Sequence, residues 1–313
     1  MQVPAPFDLE LVVRSHGWYD LPPWGWDPAR RVLSRPLLLQ GGKVARAEVA
    51  ERADAGGGLA IRLAVEGRLD PRLAAEARRQ LRTALGLDED LAPFWRRIRE
   101  LEPERRSRGL PDLSWAAARG AGRLLRSPTV FEDLVKMLCT TNCSWALTRA
   151  MARNLVDRLG APAPLGGRAF PSPEAMAARP VRFYRVAIRA GYRAPWLRQI
   201  ARDVARGRLD VEGWRDPSLP TGELAQRIGA LPGFGPYATE GMLRLLGRHG
   251  HLALDSWIRP KLRRLRGLRR QPSDRAIARW YAPYGEWAGL AMWLEVTADW
   301  FGDRPGWPGR DGA

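Results

Sequence analysis

Leu231-Pro232-Gly233-Phe234-Gly235-Pro236-Tyr237 is the stretch that decides the fold. It lies between helical patterns at 222–229 and 237–247. Two glycines around one apolar residue allow a tight reversal, Phe234 can anchor that turn in a core, and Pro236 suits the first position of a following helix. The stretch therefore reads as a helix–hairpin–helix. Such a hairpin turns backbone N–H groups outward at a helix N-terminus, where the macrodipole favours an anion, so it can grip a phosphate without reading sequence.

About twenty residues further on, His251-Leu252-Ala253-Leu254-Asp255-Ser256-Trp257-Ile258-Arg259 brings a carboxylate out of an apolar run. Asp255 can cap the helix that follows, which Pro260 makes start near Arg259. The same position lets an ionised carboxylate face positive charge developing on a sugar and orient an attacking water.

Upstream, Phe131, Leu134, Val135 and Leu138 recur at helical spacing over 129–139, and one more turn of that stripe reaches Asn142. A second helix runs from the cap Ser144 to a stop at Gly160. Further helices are expected at 71–85, 173–178, 181–189, 195–206, 261–267, 273–280 and 284–300. The N-terminal part differs. Residues 7–13, 32–39, 43–49 and 58–65 are short Val, Leu and Ile runs separated by turns such as Gly41-Gly42 and Ala55-Gly56-Gly57-Gly58, an antiparallel pattern. The expected fold class is α+β: an antiparallel sheet domain with helices over 1–105, an all-α domain over 106–302, and a loose tail over 303–313.

Composition restricts the function classes. Of 313 residues 45% are apolar, enough for a buried core, and 51 Lys+Arg against 34 Asp+Glu leave a net charge of +17. That excess points to a polyanionic partner, nucleic acid first. A GC-rich coding bias can account for the scarcity of lysine, of which there are only Lys43, Lys136 and Lys261, but not for the net charge. Cys139 and Cys143 are too few for a four-thiolate iron–sulfur cluster or a disulfide framework, and three histidines argue against structural zinc. His249 and His251 read as polar loop residues. No window supplies the roughly 18 apolar residues of a spanning helix, and no signal segment is read at the N-terminus, so the expectation is a cytoplasmic monomer at the bacterial nucleoid.

With hairpin and Asp255 together, the chain resembles the helix–hairpin–helix DNA glycosylases, closest to the 8-oxoguanine and 3-methyladenine glycosylase branch. Thr140-Thr141-Asn142-Cys143-Ser144 is similar to that branch's helix-ending motif. Phe170-Pro171-Ser172-Pro173-Glu174-Ala175-Met176 with Ala190-Gly191-Tyr192-Arg193-Ala194 resembles its wedge segment, and Trp287-Ala288-Gly289-Leu290 its last pocket helix. The N-terminal sheet resembles the small domain shared with inducible bacterial 3-methyladenine glycosylases, so the likeness spans about 7–300. The resemblance implies base flipping from duplex DNA holding a damaged base. Tyr192 would fill the gap, Asn142 and Arg193 would hold the orphaned base, and Asp255 would drive hydrolysis. Leu231, Gly233, Phe234, Gly235 and Tyr237 would form the phosphate-binding hairpin. The carbonyls of Gly229, Leu231 and Phe234 would take a sodium or potassium ion, with no other cofactor.

Two departures matter. Strand-cleaving relatives carry a lysine just after the hairpin glycines to form a Schiff base; here Tyr237 stands there, which makes water the expected nucleophile and the enzyme monofunctional. A lyase using Lys136, and a damage-binding protein that releases no base, are the alternatives. Where the 8-oxoguanine enzymes sandwich and read the lesion, this chain aligns Gly241, Val296 and Met292, with Tyr237 also facing the pocket. That suggests a larger, less polar pocket for an alkylated or oxidised purine, with Trp18, Tyr19, Trp24, Trp257 and Trp293 as stacking surface for a cationic base.

Overall fold

The computed structural model describes residues 1–52, 58–68 and 70–301. The expected turn at 55–57 and the expected tail at 303–313 lie outside the described residues. Strands β1 (Gly25–Asp27), β2 (Val32–Leu38), β3 (Val44–Glu51) and β4 (Leu59–Val65) form one antiparallel sheet in chain order. Registers such as Leu33 opposite Val49 and Ala47 opposite Leu63 put alternate residues on the core face. The helices are α1 (Leu9–Val13), α2 (Pro71–Ala84), α3 (Ala92–Ser107), α4 (Ser114–Arg119), α5 (Val130–Thr140), α6 (Trp145–Leu159) and α7 (Pro173–Ala177). They continue with α8 (Val181–Phe183), α9 (Ala194–Ala205), α10 (Thr221–Gly229), α11 (Pro236–Leu245), α12 (Ile258–Leu265), α13 (Asp274–Tyr281) and α14 (Ala288–Thr297). The small sheet followed by a helical body is the α+β architecture the sequence pattern predicts. Among the described residues no helix is long and apolar enough to cross a membrane.

Two readings of the N-terminal part are corrected. Residues Leu9–Val13 are helix rather than strand, because the Asp8 carboxylate accepts from Glu10 N (3.0 Å) and Leu11 N (3.2 Å) while Leu9, Val12 and Val13 bury one face. The boundary expected near residue 105 falls inside α3. There Arg105 is buried and donates to Glu295 of α14 at 2.8 Å, so the chain before 105 and the chain near its end share one core.

Two apolar cores are present. One joins the inner face of the sheet to α5, α6, α9, α10 and α11; the other joins α3 and α4 to α12, α13 and α14. The sheet is further tied to α5 by charge. Arg35 on β2 and Lys136 on α5 both contact Glu132, at 2.8 and 2.7 Å, and all three are almost fully buried. Burial alone would raise the Glu132 carboxyl, but the two cations outweigh it and hold it at about 2. The sheet thus fixes the angle of α5, and with it the segment that follows α5.

Candidate active site

The hairpin forms as its glycines dictate. Gly233 has φ of 88°, and a Cβ there would come within 2.6 Å of both Leu138 on α5 and Trp196 on α9. Only glycine meets both conditions at once. Phe234 is buried in the first core as the turn's anchor. Gly235 is the N-cap of α11, offers no side-chain acceptor, and is followed by Pro236 at the first helical position. The first-turn N–H groups therefore remain available to an outside anion.

Facing the hairpin, α5 ends at Thr140, with Thr141 as its cap, and Asn142 follows with φ of 43°. That left-handed conformation is one asparagine tolerates better than most residues. Asn142 is exposed, and its side-chain amide makes no hydrogen bond among the described residues. Ser144 then caps α6 by accepting from Leu147 N at 3.3 Å, so the segment between the two helices is pinned at both ends.

Tyr192 stands 47% exposed at the entrance of α9, its hydroxyl donating to the Thr141 carbonyl at 3.3 Å and its ring edge-on to Trp196 at 5.2 Å. Arg193 is placed otherwise than the sequence reading expects. It is only 3% exposed, its guanidinium donates to Thr141 Oγ1 (3.2 Å) and to the Thr141 carbonyl, and it lies 4.3 Å from the Tyr192 ring centroid. Its donors are used to brace Tyr192 against the end of α5 rather than held out for a base.

Thr141, Asn142, Tyr192 and Trp196 join Leu231, Gly233, Phe234 and Gly235 around a groove of about 260 Å³. Tyr192, the wedge candidate, Asn142, one of the orphan-base candidates, and the hairpin glycines thus share one surface. Trp196 carries no motif of its own and was missed by sequence reasoning, and Thr141 was read only as part of the helix-ending motif; the helical spacing of Trp196 from Tyr192 is the one signal that could have flagged it.

Asp255 caps a helix and keeps an oxygen free. Its Oδ1 accepts from Trp257 N (2.9 Å) and Ile258 N (2.6 Å), and α12 begins at Ile258, one residue before the expected start. Its Oδ2 accepts no hydrogen bond among the described residues, and the side chain is half-buried. The backbone leading to it is held from α11. Glu240 accepts from Ala253 N at 2.5 Å, supporting a residue at φ of 50°, and Arg244 donates to the Leu252 carbonyl at 2.9 Å. Glu240 and Arg244 are one turn apart on the helix whose N-terminus is the hairpin. Tyr237 is close by: enclosure pushes its phenol up and the Asp255 carboxylate adds to that rise, with the neighbouring Thr140 hydroxyl acting in the opposite sense.

The expected lesion pocket is corrected. Met292 and Val296 are fully buried in the second core, because their faces of α14 point inward; Trp293 between them is the partly exposed residue. Gly241 opens no space either, since the Met137 methyl lies 2.8 Å from where its Cβ would be. Lys136 is 1% exposed and held by Glu132, neither at the surface nor at the groove. Both cysteines are free, and burial pushes the Cys139 thiol up to about 12, so it is not a nucleophile at neutral pH.

A small antiparallel sheet packed on a helical body, with a Gly-x-Gly-Pro hairpin between two helices and a carboxylate at the start of the next helix, is a fold that solved DNA glycosylases share. Among solved structures the chain is similar to a 3-methyladenine DNA glycosylase from Archaeoglobus fulgidus, with 19% identity over 96% of this chain and 98% of that one and a TM-score of 0.73. It is also similar to the 8-oxoguanine glycosylase/lyase of Clostridium acetobutylicum. The apo form gives 16% identity over 93% of this chain and 92% of that one (TM-score 0.67); the complex with duplex DNA carrying cytosine opposite 8-oxoguanine gives 16% identity, 93% and 91%, with a TM-score of 0.66. No protein-family model matches the sequence, and no curated protein does.

Proposed function

We propose that this protein is a base-excision DNA glycosylase: it flips a damaged base out of duplex DNA and hydrolyses the N-glycosidic bond with water, leaving an abasic site. The observation that carries this reading is the dual use of α11. Its N-terminus is the phosphate-binding hairpin, and its Glu240 and Arg244 hold the segment that delivers Asp255. The DNA grip and the carboxylate are therefore set by one rigid element. Phosphate contacts at the hairpin fix the duplex, Tyr192 takes the volume vacated by the flipped base, and Asn142 hydrogen-bonds the partner left behind.

As the glycosidic bond breaks, the sugar gains positive charge. The free oxygen of Asp255 stabilises that charge and orients the water that captures the anomeric carbon. The carbonyls of Gly229, Leu231 and Phe234 fit a monovalent cation: those of Gly229 and Phe234 accept no backbone N–H among the described residues, and that of Leu231 accepts one, from Phe234 at 3.2 Å. A sodium or potassium ion there would stiffen the hairpin beneath a bound phosphate.

The placement of the side chains nearest the site supports a monofunctional mechanism. Tyr237 cannot form an imine, Lys136 is sealed beneath the sheet by Glu132, and Lys261 is held by Asp299. Incubation with a duplex containing an abasic site and borohydride is expected to give no covalent complex, and product strands are expected to break only on alkaline treatment. A trapped complex would establish lyase chemistry in place of hydrolysis.

A further inference from the structure

Arg244, beside the segment that carries Asp255, is left by the mechanism with donors to spare. It projects from α11 and is 7% exposed; Nη2 is committed to the Leu252 carbonyl at 2.9 Å, three residues before Asp255. Its Nε is buried without an acceptor, and Nη1 donates to nothing among the described residues. A buried guanidinium with unused N–H groups is costly unless something completes it. Burial pulls its pKa down to about 10, against the attraction of Tyr237, Glu240 and Asp255, so it is still a cation at neutral pH.

The aromatic faces nearby are already occupied by the protein's own cations. The Arg244 guanidinium lies 4.9 Å from the Trp293 ring centroid, and Trp293 pairs with Trp257 at 6.2 Å. Trp257, whose backbone N–H bonds the Asp255 carboxylate, carries Lys261 Nζ at 5.6 Å. Trp24, further away, carries Arg35 at 4.5 Å. An electron-rich ring face that already holds a guanidinium or ammonium gives little to a second cation, and the like charges repel.

We propose that Arg244 is a specificity-determining residue of the base site, selecting neutral lesion bases that present an exocyclic carbonyl oxygen and disfavouring cationic N-alkylated purines. The carbonyl accepts from Nη1, which donates to nothing among the described residues and, unlike Nε, is not sealed off, and a flipped base bearing a full positive charge meets a fixed cation instead. A site whose buried donors are paired only by the right substrate discriminates strongly, because every other base leaves them unpaired. This inference rests on the glycosylase reading and replaces the expectation that the tryptophans stack on a cationic base.

The test is single-turnover base release by the full chain from duplexes carrying 8-oxoguanine, hypoxanthine or 3-methyladenine, each rate divided by that base's spontaneous release. That correction matters because a cationic base departs readily unaided. The wild-type acceleration is expected to be at least about tenfold greater for one of the two oxo bases than for 3-methyladenine, and Arg244→Gln is expected to reduce that advantage about tenfold or more. Greatest acceleration on 3-methyladenine, or an equal loss on all three bases in Arg244→Gln, overturns the proposal. If the variant does not fold, the wild-type ratios alone decide. Release with the wrong preference sinks this inference and leaves the glycosylase reading standing; release from none of a wide lesion panel sinks both.

Discussion

Asp255→Asn is expected to leave a folded protein that still binds lesion-containing duplex but releases its base on the order of 10²–10³ times more slowly, about 2.7–4 kcal/mol of lost transition-state stabilisation. Folding should survive because the asparagine oxygen can still accept from Trp257 N and Ile258 N, and Asn and Asp are nearly equivalent as helix caps. Binding should survive because the phosphate grip is made by the hairpin backbone and not by the Asp255 carboxylate. What disappears is the charge, and charge is what an electron-deficient sugar needs. Thermal melting, duplex affinity and single-turnover release, measured on the same preparation, separate these effects. An unchanged release rate would remove Asp255 from the chemistry.

Gly233→Ala is expected to have the largest effect on the fold around the site. At φ of 88° a side chain costs about 1–2 kcal/mol of backbone energy. The new methyl must also displace both Leu138 and Trp196, adding about 1–3 kcal/mol of overpacking. The melting temperature should fall, and duplex affinity should drop at least about tenfold as the hairpin amides lose their alignment. Gly235→Ala is the internal control, because Gly235 has φ of −79° and open space where its Cβ would be. It should be close to wild type in stability. Equal melting temperatures for the two variants would contradict the packing account.

How much of this was legible in the residues depended on whether the signal was local. The hairpin, the cap at Ser144, the first helical position at Pro236, the stop at Gly160 and the helix that Pro260 forces to begin at its own doorstep are all written in adjacent residues, and the structure places their boundaries within one or two positions. Leu9–Val13 was misread because four apolar residues around Glu10 are too few to separate the two periods, and only the Asp8 cap decides. The short strand Gly25–Asp27 has too few residues to show alternation.

The site divided along the same line. Asn142, Tyr192 and the hairpin glycines lie on one groove, as motif order led us to expect. Arg193 turned inward because the Thr141 carbonyl at the end of α5 lies within its reach, which only tertiary structure reveals. His249, read as a loop residue, is buried against Trp287 at 5.4 Å and paired with Glu89, a partner 160 positions away. Arg244 had no motif at all; its importance comes from burial beside the segment that carries Asp255, from an uncommitted Nη1 and from the ring it covers. For α14, alignment to a family pattern chose Met292 and Val296, whereas helix rotation presents Trp293.

The most direct test of the central claim is whether the wild-type protein liberates free base from damaged duplex DNA. Duplexes carrying oxidised, deaminated or alkylated bases opposite each of the four partners are incubated with excess protein, and the released base is identified by chromatography and mass, with strand integrity read before alkaline treatment. The account predicts release of at least one lesion base with the sugar–phosphate strand intact. Tight, salt-sensitive binding of lesion duplex with no base released from any of them would contradict it and identify a protein that recognises damage without excising it.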